Sequence, residues 1–287
     1  MAYILKKSLK KIICVFGPTA SGKSDYALKL AHEKKGQIIN ADSMQVYADL
    51  PILTARPSSF EQEGIKHHLY GFLTPCENFS VHLWLQKAAE KIKEVETPIL
   101  VGGTGFYFKC LIEGLSDLPQ IDEDIRLKVR QMPLNEVLDR VKDAVFKDPQ
   151  RARRALEVLL QTGKPLSYWQ SLEKKKYIDG DFQLIFINPP RPVLYDRCDK
   201  RFDKMLKAGA LNQVKDFYDK KYPETCFLYN ALGVSELIRF LKGELSFEDA
   251  VLSAKRETRR YAKRQVTFFK NQFTGYESLE NVFQKEG

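Results

Sequence analysis

The segment GPTASGKS, residues 17 to 24, follows the apolar run Ile12-Ile13-Cys14-Val15-Phe16 and precedes a stretch in which Ala27, Leu30 and Ala31 recur at helical spacing. Strand, then G-x-x-x-x-G-K-[ST], then helix is the arrangement of a phosphate-binding loop. Glycines let the backbone wrap an anion, successive N–H groups point inward, and the following helix adds its positive end. Gly17, Pro18, Thr19, Ala20, Ser21, Gly22, Lys23 and Ser24 are therefore the candidate residues for holding a diphosphate or nucleotide. Lys23 brings a mobile positive charge, and the Ser24 hydroxyl can ligate a Mg2+ ion that shares the phosphate oxygens. Such a loop says that a phosphate chain is held. It does not say which bond is broken.

The rest of the chain supplies the sheet that such a loop needs. Gln37–Asn40 reads as a second short strand, Ile99-Leu100-Val101 as a third buried strand ending in Gly102-Gly103, and Leu184–Ile187 as a fourth. A helix is expected over residues 81 to 95, stopped by Thr97-Pro98. Apolar strands separated by helices predict an α/β fold with a P-loop NTPase-like parallel sheet, its site at the carboxyl ends of the strands. The residues between the third and fourth strands look wholly helical, with a turn at Leu118-Pro119, and part of this span, residues 120–178, is expected to be a helical insertion into a core of 1–119 and 179–287. After the fourth strand the chain reads as helical to its end.

Composition narrows the setting. The first 16 residues mix lysines with apolar residues, but their longest apolar run is the first strand itself, so a core strand is a better reading than a signal peptide. No apolar run approaches the roughly 20 residues needed to span a membrane. Five widely spaced cysteines with no C-x-x-C pair offer neither a disulfide framework nor a zinc site. A cytoplasmic protein, monomeric and without a membrane partner, is the expectation. The formal charge is +9, and its distribution is more telling than its sum: Lys255 to Lys270 holds seven basic residues and one acidic, and Arg151, Arg153 and Arg154 form a second cluster.

Three further features carry chemistry. Asp42, just past the second strand, is placed as a general base or hydrogen-bond acceptor beside the phosphates, or equally as a helix N-cap. Thr104, after two glycines at the end of the third strand, is placed to touch a phosphate oxygen, or to cap the helix beginning near Phe106. The third strand ends without the carboxylate a nucleotide hydrolase would use for its metal, and no N-K-x-D stretch reads guanine, which argues against a GTPase or motor ATPase. The segment AKRETRRYAKRQVTFFK reads as an amphipathic helix whose Ala254, Thr258, Tyr261, Ala262 and Phe269 face the core, leaving a basic face suited to a polyanion backbone.

In order along the chain, GPTASGKS, ADSMQVY at 41 to 47, Thr54-Ala55-Arg56-Pro57, His67-His68-Leu69, VGGTGFYFK at 101 to 109, EGLSDLP at 113 to 119, RRALEVLLQTGKPLS at 153 to 167 and AKRQVTFF at 262 to 269 together resemble the tRNA dimethylallyltransferases of bacterial type, also called tRNA isopentenyltransferases. The resemblance implies transfer of a dimethylallyl group from its diphosphate to N6 of adenosine 37 beside the anticodon of tRNA. The bond broken would then be carbon to oxygen. Lys23, the loop amides and a Mg2+ on Ser24 would stabilise the departing diphosphate, Asp42 would accept a hydrogen bond or proton from N6, and Thr104 would contact the bridging oxygen or the nearby tRNA. The family pattern places tRNA contacts at Asp42, Ser43, Met44 and Gln45, at Thr104 and Arg126, at Gln150, Arg151, Ala152, Arg153 and Arg154, at Asn230 and the residues to Ser235, and at Lys263, Arg264, Gln265 and Lys270. ATP binding, which the loop motif suggests by itself, is less expected than diphosphate binding.

The chain departs from the family in three places, one of them a helical insertion between Arg126 and Asp148 that is short for the family. Asn230 stands where an arginine of R-x-x-G-Y is usual, leaving the diphosphate one charge short unless another cation substitutes, and Phe268 stands where tryptophan is usual. The competing readings are an adenylate isopentenyltransferase acting on free nucleotide, a P-loop small-molecule kinase, and an RNA-binding protein with a vestigial loop. The first two leave the basic clusters unexplained.

Overall fold

A computed structural model describes residues 9–141, 148–223 and 225–280. The chain divides into two compact units, one of residues 1–112 and 177–287 and one of Glu113–Lys176. In the larger unit, β1 (Lys11–Phe16) leads through the phosphate loop into α1 (Lys23–Lys34), β2 (Gln37–Asn40), β3 (His67–His68), α2 (Val81–Glu94), β4 (Pro98–Gly102) and α3 (Gly105–Glu113). The smaller unit holds β5 (Leu115–Ser116), α4 (Glu123–Gln131), α5 (Leu134–Arg140), α6 (Pro149–Thr162), α7 (Leu166–Ser171) and β6 (Lys174–Lys175). The chain then continues with β7 (Asp181–Ile187), α8 (Arg191–Lys207), α9 (Ala210–Asp219), a 3-10 turn at Phe227–Asn230, α10 (Val234–Leu241), α11 (Phe247–Gln272) and β8 (Glu277–Leu279).

One six-stranded sheet organises the larger unit, in the order β3-β2-β4-β1-β7-β8, with every pairing parallel. The four strands expected from the sequence are all present. Two are additions: β3 is two residues long, and β8 contradicts the expectation that the chain stays helical after the fourth strand. Both are edge strands of two or three residues, too short to show an alternating pattern. Likewise β5 and β6 pair as an antiparallel ribbon within the smaller unit, where only helices were expected.

Strand alternation sorts the core. Ile13, Val15, Ile38, Ile99, Val101, Ile185 and Ile187 turn one way and pack on Ala27, Leu30 and Ala31 of α1. Phe16 turns the other way, meeting the rings of Phe108, Phe186 and Phe269, with the Phe16–Phe269 centroids 4.9 Å apart. A separate apolar layer joins Val46, Tyr47 and Leu50 to Phe202, Val214, Phe217 and Leu237 of the later helices. The smaller unit has its own core of Val129, Val137, Ala152, Ala155 and Leu156.

Candidate active site

The phosphate loop is pinned from several sides. Gly17 has no room for a side chain, since a Cβ there would lie 2.4 Å from the carbonyl oxygen of Ile187. Gly22 caps α1 at φ 92°, a conformation that favours glycine. The Pro18 carbonyl accepts from Ser21 N at 3.2 Å and from Lys23 Nζ at 3.3 Å, while the Ser21 carbonyl accepts from Arg197 Nη1 at 3.2 Å. The Ser21 hydroxyl is buried and makes no hydrogen bond with a described residue. A buried hydroxyl inside an anion-wrapping loop is a group waiting for a polar ligand.

Charge converges on this loop. Burial lowers the Lys23 pKa to about 8, against the pull of Asp42 and with added repulsion from Arg201. Arg201 donates to the Thr19 hydroxyl and is itself pushed down by burial, with Cys198 and Asp42 acting the other way. Lys23, Arg197 and Arg201 therefore gather at the loop, with the Asp42 carboxylate near enough to act on Lys23 and Arg201. Asn230, the position where an arginine was missing, is exposed and bonds back to Phe227 O at 3.2 Å. The charge that the sequence left unaccounted for is on α8, at Arg201, and no local motif marks it.

Asp42 is not a helix N-cap. No helix follows it, and its Oδ1 accepts from Met44 N at 2.9 Å, closing a turn of its own. That turn is held by Asn40, which is fully buried: its Oδ1 accepts from Asp42 N at 2.8 Å and its Nδ2 donates to the carbonyls of Asp42 and Leu69. The Trp84 indole N–H closes the set on Asn40 O at 2.8 Å. Thr104 meets the same turn: its hydroxyl accepts from Ser43 N at 3.0 Å and donates to Ser43 Oγ at 3.3 Å. The ends of β2 and β4 are thus tied together through Asp42, Ser43 and Thr104. Met44 packs on the helical core layer, and Gln45 donates to the carbonyls of Thr54 and Ala55.

Helix α11 crosses the carboxyl ends of these strands. Gln265, buried at 6 % exposure, accepts from Thr19 N at 2.8 Å and donates to Gly103 O at 2.8 Å, linking the phosphate loop to the end of β4. A Cβ at Gly103 would fall 2.4 Å from Gln265 Nε2 and 3.5 Å from Asp42 Oδ2, so glycine there lets amide and carboxylate approach one point. Phe268 lies over Gly105 in the same way. On the opposite flank of α11, a cavity of about 290 Å3 opens between Lys263, Val266 and Lys270 and the Asn188–Arg191 turn.

The basic face expected on α11 is only partly free. Arg259 makes two 2.6 Å contacts with the Asp199 carboxylate, Lys255 lies 2.7 Å from Asp203, and Arg256 and Arg260 both reach Glu257. Arg259 and Lys255 are thus engaged by carboxylates of α8, while Arg256 and Arg260 share Glu257 of their own helix and stay exposed. Lys263, Arg264 and Lys270 make no ion pair among the described residues, and Arg264 lies over the Tyr261 ring at 5.6 Å. In the smaller unit, Asp148 caps α6 through the backbone N–H groups of Gln150 and Arg151. There Ala152 is buried, Arg153 donates to the carbonyls of Val129 and Met132, and Arg154 and Arg126 pair with Glu157 and Glu123. Gln150 and Arg151 are the exposed pair of that segment.

Among the described residues no group of three or more His, Cys, Asp or Glu could hold a metal ion. A Mg2+ ion fits here only as one shared with a phosphate ligand, through the exposed Ser24 hydroxyl at the start of α1.

The chain is similar to known proteins over nearly its whole length. A sequence profile of the family described as IPP transferase matches residues 45–272. A tRNA dimethylallyltransferase of Rickettsia massiliae is 42% identical over 96% of this chain and 81% of its own length. One of Caulobacter is 41% identical over 95% and 93%. Among solved structures, a tRNA isopentenylpyrophosphate transferase of Bacillus halodurans superposes with a TM-score of 0.70 at 32% identity, covering 94% of this chain and 90% of that one. A eukaryotic dimethylallyltransferase solved acting on tRNA gives 0.77 at 29%, over 94% and 74%. With the profile spanning most of the chain and the Rickettsia and Caulobacter proteins matched over more than four fifths of their length, the chain belongs to the IPP transferase family.

Proposed function

We propose that this chain transfers a dimethylallyl group from dimethylallyl diphosphate to N6 of adenosine 37, next to the anticodon of tRNA. The observation that carries the reading is the pairing, at one place, of an anion-wrapping loop flanked by Lys23 and Arg201 with a carboxylate, Asp42, whose Oδ2 makes no hydrogen bond among the described residues. An allylic carbon bears positive charge as its bond to oxygen stretches, so the barrier is lowered mainly by stabilising the departing diphosphate. Lys23, Arg201, the Ser21 hydroxyl and the loop amides bind that anion. Asp42 takes the proton that N6 must lose as the carbon–nitrogen bond forms, and the electron pair of the broken bond leaves with the diphosphate oxygen. The Thr104 hydroxyl holds the Asp42–Ser43 turn in register with β4. Ser24 would hold Mg2+ against the diphosphate, where the ion would add positive charge to the leaving group.

A stacked adenosine must be extruded to reach this site, as for other enzymes that modify a base. Lys263, Arg264 and Lys270 on the larger unit, and Gln150 and Arg151 on the smaller, are the groups free to take RNA phosphates. The smaller unit is accordingly a tRNA-contacting insertion, and the protein works as a cytoplasmic monomer.

The test is a transfer assay with labelled dimethylallyl diphosphate, Mg2+ and unmodified tRNA, with AMP alone and ATP in parallel. Label in tRNA alone supports the proposal. Label in AMP would move the activity to free nucleotide, and phosphate transfer from ATP would make the chain a kinase.

A further inference from the structure

Three phenols feel the charge of Asp42. Tyr70, Tyr107 and Tyr261 are each raised above the ordinary tyrosine pKa, first by burial and next by the Asp42 charge. None of the three hydroxyls makes a hydrogen bond with a described residue. Tyr107 is buried and lies flat on Trp84, ring centroids 4.4 Å apart, while Tyr70 is half-buried, packing on the core layer of α1 and against the His67 ring. Tyr261 is different. It is half-buried on α11, one helical turn before the Gln265 that fixes this helix to Thr19 and Gly103, and the Arg264 guanidinium covers its ring at 5.6 Å. Residues four apart share a helix face. Tyr261 therefore lies on the same face of α11 as Gln265, whose amide approaches Gly103 beside Asp42 Oδ2.

We infer that Tyr261 is a positioning residue for the acceptor base: its hydroxyl accepts one hydrogen of the adenine amino group while Asp42 accepts the other, and its ring, stiffened by Arg264, is a wall for the extruded purine. The inference rests on the proposed prenyl transfer to adenosine. An exocyclic amine conjugated with a purine is flat, and its lone pair stands perpendicular to the ring. Two acceptors in the ring plane fix both N–H bonds and so aim that lone pair at the allylic carbon. As the carbon–nitrogen bond forms the nitrogen gains positive charge, and both hydrogen bonds tighten. Asp42 alone takes the proton; Tyr261 keeps its own.

Single-turnover and steady-state kinetics of Tyr261→Phe test this, beside Tyr261→Leu. Tyr261→Phe should lower kcat about ten-fold, the scale of one hydrogen bond made to the reacting group. Its KM for tRNA and its diphosphate affinity should stay within about two-fold of wild type. With 2-aminopurine at the acceptor position, Tyr261→Phe should keep the fluorescence change of an extruded, stacked base, and Tyr261→Leu should lose it. A Tyr261→Phe enzyme with wild-type kcat, or one whose KM alone rises, would overturn the positioning role. A wild-type chain that transfers nothing to tRNA would overturn the proposed function and this inference with it.

Discussion

Gln265 and Thr19, 246 residues apart in sequence, share a buried 2.8 Å hydrogen bond in which the phosphate-loop N–H donates to the side-chain amide of α11. The other end of that amide holds Gly103. One side chain therefore fixes how far apart the diphosphate loop and the Asp42–Thr104 turn stand.

Gln265→Leu should cost about 2–4 kcal/mol, because it strands a buried N–H and a buried carbonyl. Denaturant unfolding measures this. Gln265→Glu keeps the acceptor for Thr19, loses the donor to Gly103 and brings a negative charge to the loop. It should weaken diphosphate binding more than it weakens the fold, and calorimetric titration with inorganic diphosphate separates the two.

Asp42→Asn keeps an acceptor for Met44 N and so keeps the turn, but it cannot take a proton. Transfer should fall by about 10²–10⁴-fold, the usual scale of general base catalysis. The Kd for tRNA, measured by filter binding, should hold within a few-fold. An equal loss of affinity would make Asp42 a structural turn residue.

Lys23 sets a pH dependence. Its free-state pKa is lowered to about 8 by burial, and a bound polyanion raises it again. Diphosphate affinity should therefore be full below pH 8 and fall as pH rises through 8 and above, by up to about one decade per pH unit, with a proton taken up on binding. In the fold without ligand the sign is opposite: the depressed pKa makes burying charged Lys23 a cost at and below pH 8, and the cost is relieved as pH rises from 8 toward the ordinary lysine value. Lys23→Arg should remove the fall in affinity, which titrations in two buffers of different ionisation enthalpy would show.

The ion pairs on α11 predict which cations RNA sees. Replacing Lys263, Arg264 and Lys270 by glutamine should reduce the slope of log Kobs against log salt by about 2–3 for tRNA. Replacing Lys255 and Arg259 should leave that slope nearly unchanged and lower stability instead, since their carboxylate partners Asp203 and Asp199 are already in place. A slope that drops for the second pair would show that tRNA displaces those carboxylates.

Much of this site was legible in the sequence because it is local. The phosphate loop is eight consecutive residues between a strand and a helix, and Asp42 and Thr104 directly follow strands whose apolar runs are unmistakable. What was hidden is what reaches in from elsewhere. Arg201 lies on α8 in a row of basic and polar residues where nothing local marks it as the one that reaches Thr19, and Gln265, expected only as a tRNA contact, is buried with its amide spent on Thr19 and Gly103. Asn40 looked like the last residue of a strand, and only the fold shows that all of its side-chain polar atoms serve the Asp42 turn. The charge of α11 misled for the same reason: Arg259 reads as a free cation until α8 brings Asp199 beside it.

On the proposed reading, the loop holds a diphosphate that leaves whole while its carbon–oxygen bond breaks. The most direct measurement uses dimethylallyl diphosphate carrying 18O in the bridging position, with tRNA as acceptor, and follows both products by mass spectrometry. The expected result is one intact diphosphate, retaining the 18O, for every dimethylallyl group found on tRNA. Release of orthophosphate, or 18O that stays with the carbon chain, would mean that a phosphorus–oxygen bond is the one broken, and would contradict it.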